Sequence, residues 1–260
     1  LQFYVSKALS RFEMNIAWKT LIGLTLMYLA LPIVGLLAQL DMAALPGVFT
    51  HDRIYPALTL SFTSALASTG LIVVVGTPLA WKLAEHYQGR PPTFIQLIIQ
   101  WPLVLPPSVL GLALLDTYGS QGLFNPGLAF SPASLVIIQT IVAAPFFLQV
   151  VFTSFIGRDS HYADIASTLG APPSFIARKI LWPLHKWAII GGASLAFARS
   201  LGEFGATLIF AGNLPGVTQT MPLAIYEFLE SDLQAARVLA LLLLLLGMVF
   251  IGLAIRLSLG

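Results

Sequence analysis

The sequence predicts an all-α integral membrane protein of six transmembrane helices with both ends in the cytoplasm, and three observations predict it. Hydrophobic residues form 57% of the 260 and charged residues only 9%, against about 45–50% and about 25% in ordinary soluble domains. Six apolar stretches each reach the roughly 20 residues of helix that a bilayer requires. The basic residues fall almost wholly on one side of those stretches. The same composition excludes other classes. A net charge of +2 is far from the dense basic face of a nucleic-acid binder, and the absence of cysteine removes disulfides, thiolate metal sites and cysteine nucleophiles. One membrane domain over residues 1–260 is the expectation at this length.

The first span covers residues 17–40. Lys7, Arg11 and Lys19 before an apolar run also suit a secretory signal, but the run from Ile16 to Leu40 exceeds the roughly 7–15 residues of a signal core. Ahead of it Val5, Leu9, Phe12 and Ile16 recur at helical spacing, which fits a short interfacial helix or, more plainly, a frayed end. The second span, 58–84, carries Ser61, Ser64, Ala65, Ser68, Thr69 and Gly70, small residues that suit close helix packing. In the third, 94–115, Pro106 and Pro107 interrupt the hydrogen-bond ladder and predict a kink. The fourth covers 134–156. The fifth covers 187–211, and the sixth, 236–257, starts after Glu227, Glu230 and Asp232 and ends at Arg256.

With the N-terminus inside, Lys7, Arg11, Lys19, Lys82, Arg90, Arg158, Arg178, Lys179, Lys186 and Arg256 face the cytoplasm. Only Arg53 and Arg237 lie outside, ten against two, and this bias sets the orientation. Arg199 is left within the membrane. It lies thirteen residues beyond Lys186, about 20 Å of helix, and a charge at such depth costs roughly 2.5–3.5 kcal/mol unless paired or hydrated. Glu203 stands one turn away and can pair with it. Two readings stay open: the two charges line or gate a path for an anion, or they form a closed ion pair while Ser200, Gly202 and Gly205 let another helix approach.

The connection between spans four and five, residues 157–185, is long for a compact fold and carries its own helix signals. Tyr162, Ile165, Ala166 and Leu169 recur at i, i+3, i+4 and i+7, one face of a short amphipathic helix. Asp159 or Ser160 can cap its start. Gly170, followed by Pro172 and Pro173, ends it. A second short helix from Ser174 leads to Pro183. An apolar face that its own chain cannot cover calls for a partner surface; headgroups are the alternative.

The run Asp164-Ile165-Ala166-Ser167-Thr168-Leu169-Gly170, with Ile180 and Pro183 downstream, resembles the cytoplasmic E-A-A, three residues, G signature of ABC-importer permeases. Asp164 stands for the usual Glu and Ile165 for the first Ala. The resemblance implies that Tyr162, Asp164, Ile165, Ala166, Leu169 and Gly170 belong to a coupling helix, which transmits the closure of an ATP-hydrolysing subunit to the membrane helices.

Three further segments are similar to the molybdate/tungstate permeases: Ala198-Arg199-Ser200-Leu201-Gly202-Glu203-Phe204-Gly205-Ala206-Thr207 with Ala211-Gly212-Asn213; Thr218-Gln219-Thr220-Met221-Pro222-Leu223-Ala224-Ile225-Tyr226; and Trp101 through Ser108. The first is shared with sulfate permeases, so a sulfate-type oxyanion permease is the alternative. The resemblance implies two copies of the permease, two ABC ATPase subunits that hold ATP and Mg, an extracytoplasmic oxyanion-binding protein, and the cell membrane of a prokaryote. Pro106, Pro107 and Ser108 at the proline kink and the pair Arg199 and Glu203 are the candidate residues for the path or its gate. The residues themselves add that no G-x-x-x-x-G-K-S/T loop is present, so ATP chemistry belongs to another chain. No zinc motif or catalytic constellation appears, which leaves no catalytic or metal-binding residue to name. A stand-alone secondary transporter or channel would need inverted repeats or embedded ion ligands, and an intramembrane enzyme would need paired buried acids or a metal. Neither pattern is present in the sequence.

Overall fold

The computed structural model describes residues 16–41, 43, 45–87, 91–124, 127–156 and 161–258. Among these the regular structure is helical throughout: α1 (Ile16–Ala38), α2 (Leu45–Phe49), α3 (Ile54–Tyr87), α4 (Thr93–Val104), α5 (Pro107–Tyr118), α6 (Pro132–Phe155), α7 (His161–Thr168), α8 (Pro173–Phe175), a π-helical stretch (Ile176–Leu181), α9 (Trp182–Leu201), α10 (Gly205–Phe210), α11 (Met221–Ser231) and α12 (Leu233–Ser258). The chain divides into two units, residues 1–43 and 44–260. The first holds α1, which is apolar on every side, carries Pro32 and turns the Thr25 hydroxyl back to the carbonyl of Leu21 at 2.9 Å. The interfacial helix expected over residues 5–16 lies almost wholly outside the described residues.

In the second unit, the core forms where α3, α6 and α9 meet. Phe147 of α6 is fully buried because glycines receive its ring from both sides: a methyl group placed on Gly76 or on Gly192 would lie 3.0 or 3.2 Å from ring atoms. Without a side chain these two positions let the helices close onto the aromatic knob, the packing that small residues permit inside a membrane. On its other face α9 meets α12 at Gly191, where a Cβ would stand 3.4 Å from the carbonyl of Ala254. Phe197 packs against Phe250 at 4.3 Å between centroids and meets Phe62 edge-on at 5.2 Å. Hydroxyls join the same helices, Ser68 donating to Ser200 at 3.2 Å and the Gln139 amide to Ser64 at 3.1 Å. Ser61, Ser64, Ala65, Ser68 and Thr69 are buried as their small size suggests, but Gly70 is exposed with open space beside it.

The expected spans need two corrections. The third is broken, not kinked: α4 and α5 are bent by 109°. A proline forces the residue before it out of the helical region, and with two in succession both Leu105 (ψ 134°) and Pro106 (ψ 135°) are extended. The fifth does not run to residue 211. It ends at Leu201, the chain passes through Gly202 (ψ 8°) and Phe204 (φ −132°), and α10 follows. Four helices among the described residues are long and apolar enough to cross a membrane, or five if the bent pair counts as one span: Trp18–Ala38, Ile54–Tyr87, Pro132–Phe155 and Leu233–Leu257. Helix α9 is not among them, since His185, Lys186, Arg199 and two glycines dilute its apolar residues.

The segment entering α9 is helical from Pro173 onward, but its turns widen before Pro183. The N–H of Trp182 reaches back five residues to the carbonyl of Ala177. A proline ring clashes with the carbonyl four residues earlier in an α-helix, and an extra residue per turn relieves that crowding.

Candidate functional site

The two breaks meet. Helix α5 lies against α10 with almost no space between backbones: a Cβ on Gly205 would stand 2.6 Å from Pro107, and one on Gly111 would stand 2.9 Å from the carbonyl of Ala206. Glycine at both positions is therefore what allows the short helices to touch. Pro106, Pro107 and Ser108 are exposed at the start of α5.

Glu203 stands at the same junction, 2% exposed. One carboxylate oxygen accepts a hydrogen bond from the Arg199 guanidinium at 2.9 Å and the other from the backbone N–H of Ala206 at 3.1 Å. The first satisfies a buried charge, and the second satisfies one of the free donors at the start of α10. Both oxygens are thus committed to holding the break closed. Arg199, in the last turn of α9, keeps 30% of its side chain exposed, so of the pair it is the member that another group can reach. The two residues are not on one continuous helix, as the sequence suggested, but on either side of its end.

Past α10 the chain folds into a tight loop over residues 211–220. Gly212 (φ 73°) and Gly216 (φ 75°) supply the left-handed turns, the hydroxyl of Thr218 accepts from the N–H of Leu214 at 3.1 Å, and the N–H groups of Val217, Thr218 and Gln219 all return to the Leu214 carbonyl. Phe130, itself at φ 58°, donates its N–H to Phe210 at 3.1 Å and rests its ring on Gly212. Gln219 is buried and donates to Asn213 at 3.0 Å and to the carboxylate of Glu227, which also pairs with Arg53. Sequence reasoning gave these four residues no role. The turn glycines flanking Asn213 were a signal for the loop, but nothing in the spacing joined it to Arg53, 174 residues from Glu227.

The helix expected in the 157–185 connection is α7. Its capping residue lies outside the described residues, but its end is as predicted: Gly170 has φ 83°, the N–H of Ala171 bonds the carbonyl of Ala166 at 3.0 Å and that of Gly170 bonds Ser167 at 3.0 Å, the pair of bonds that defines a Schellman cap. Asp164 is exposed, Ala166 is half-buried, and α7 packs on the π-helical stretch. Tyr162, Ile165 and Leu169 are all exposed, Leu169 at 82%. Among the described residues, these three side chains leave one apolar face of α7 exposed.

The chain is similar to known proteins over nearly its whole length. Residues 72–258 match the family described as binding-protein-dependent transport system inner membrane component. The molybdenum transport system permease protein ModB of Mycobacterium tuberculosis is 38% identical, over 90% of this chain and 92% of that protein. The probable molybdenum ABC transporter permease protein of Haloferax volcanii is 36% identical over 86% and 82%, and the probable transport system permease protein NifC of Clostridium pasteurianum is 33% identical over 81% and 76%. The broken helices, the capped amphipathic helix between α6 and α9 and this breadth of identity agree: the chain is a multi-pass membrane protein and belongs to the family of inner membrane components of binding-protein-dependent transport systems.

Proposed function

We propose that this chain is the permease subunit of an ATP-driven importer of molybdate or tungstate in the cell membrane of a prokaryote. The observation that carries the substrate is the identity, above 35% across most of the chain, to relatives named as molybdenum permeases. Residues 1–260 act as one permease domain that crosses the membrane six times with both ends in the cytoplasm, α9 and α10 forming the fifth crossing. Two copies face each other. An oxyanion-binding protein delivers the anion outside, and two ATPase subunits, which hold ATP and Mg, work beneath. This chain performs no catalysis of its own.

Two sites divide the labour. Tyr162, Asp164, Ile165, Ala166 and Leu169, ended by Gly170, contact the ATPase; the exposed apolar face of α7 supports this assignment. Pro106, Pro107, Ser108 and Arg199 border the path where the broken helices meet, and Glu203 holds Arg199 there. Arg199 attracts the anion without trapping it, since Glu203 cancels most of its charge.

Thermal-shift titration of the cognate binding protein with molybdate, tungstate, sulfate and vanadate, followed by uptake in cells lacking this permease, tests the assignment. Stabilisation by molybdate and tungstate, with uptake lost on deletion and restored by this chain, is expected. Stabilisation by sulfate alone would make this a sulfate-type permease, and binding of none of the four would overturn the substrate class.

A further inference from the structure

We propose that His185 is a positioning residue for energy coupling: it closes the base of the 157–185 connection, so that a displacement of α7 reaches α6 and α9 together. The proposal rests on the reading of α7 as the ATPase contact. His185 lies in the first turn of α9 and is 2% exposed. Its Nδ1 is 2.8 Å from the Ser154 hydroxyl, and its ring meets Phe155 edge-on at 4.6 Å. Ser154 and Phe155 are the last two residues of α6. Phe155 is itself buried, in a cluster with Val151 and Ile189. The connection therefore leaves α6 and returns to α9 through one clasp.

A buried imidazole next to a buried aromatic ring is an expensive way to fill space, because an apolar side chain of similar size would carry no desolvation cost. What it adds is a directional bond between two helices. Either tautomer can make that bond, since the serine hydroxyl donates to a bare ring nitrogen or accepts from a protonated one.

The parts between the clasp and the exposed face of α7 are locally stiff. The Schellman cap fixes the end of α7, α7 rests on the π-helical stretch, and the helical run from Pro173 to Leu201 carries any displacement into α9. That run moves α9, and the core packing around Phe147 already ties α9 to α6. The His185–Ser154 bond adds a directional tie at the end of α6 nearest the connection, where the displacement enters.

The test uses the whole transporter, permease with its ATPase and binding protein, in proteoliposomes, with molybdate transported per ATP hydrolysed as the readout. His185→Ala is expected to lower that ratio by roughly fivefold, the factor worth one net hydrogen bond, while ATPase binding and ATP hydrolysis persist. Ser154→Ala lowers it equally, the double variant is no worse than either single one, and His185→Asn, whose amide can still reach Ser154, recovers most of it. An unchanged ratio in Ser154→Ala, or in His185→Asn a loss as large as that of Ser154→Ala, would overturn the proposal whether or not His185→Ala assembles, and single effects that multiply in the double variant would overturn it too. Leu169→Asp separates the parent reading: if it still captured the ATPase as well as the unmodified chain, α7 would not be the contact and the clasp would have nothing to transmit.

Discussion

Helices α7 and α10 are both short, eight and six residues, and lie in opposite surroundings. Helix α10 is completed by its own chain: Ala206, Thr207 and Phe210 are buried, Glu203 caps its start, and α5 lies on it through Gly111. Helix α7 is well terminated but uncovered, its Tyr162, Ile165 and Leu169 exposed. A helix this short has little stability of its own, so each persists by contacts. The contacts of α10 are intramolecular, whereas α7 leaves its apolar side chains exposed. On the proposed reading, the difference separates a part fixed before transport from a part that meets the ATPase during it.

Substitutions in the two helices can break this contrast. Phe210→Ala leaves a void under α10 and should cost roughly 3–5 kcal/mol, seen as a large fall in the melting temperature of the purified protein in detergent; a negligible shift would mean that α10 is not seated as described. Gly205→Val drives a side chain into Pro107 and should cost about 1–3 kcal/mol, read by the same melt. Gly170→Ala places a side chain at φ 83°, which costs roughly 1–2 kcal/mol locally. Since α7 makes few internal contacts, that loss should appear as ATPase capture weakened about tenfold and scarcely in the melt. Leu169→Ser should leave stability within about 0.5 kcal/mol yet weaken capture of the ATPase on an affinity surface. A melt shift in Leu169→Ser comparable to that of Phe210→Ala would erase the distinction between the two helices.

Much of this arrangement was legible in the sequence, unevenly and for physical reasons. Apolar length alone located α1, α3, α6 and α12. Helix α7 was readable because its periodic face and its Gly170 cap are local signals that need no partner in the chain. The breaks in the third and fifth spans were hidden because hydropathy reports the length of an apolar run and not whether its backbone is continuous. The extended conformation forced on Leu105 and Pro106 was available from the tandem prolines, but a proline in a membrane helix usually means a kink. Glu203 was found as a buried charge, while its second task, capping α10, needed the break to be visible. The loop of Asn213 and Gln219 stayed opaque because its closure depends on Glu227 and Arg53, joined by folding and by no period.

Tandem prolines have a further effect beyond the bend between α4 and α5. In a continuous helix the carbonyls of Pro102 and Leu103 would accept the N–H groups of residues 106 and 107, but prolines occupy those positions and have none to give. Hydrocarbon offers no donor, so exposed backbone of this kind persists within a membrane only beside protein or water. Pro106, Pro107 and Ser108 lie on the surface of the chain. On the proposed reading, the carbonyls of Pro102 and Leu103 are therefore left for water or for a second protein surface to satisfy.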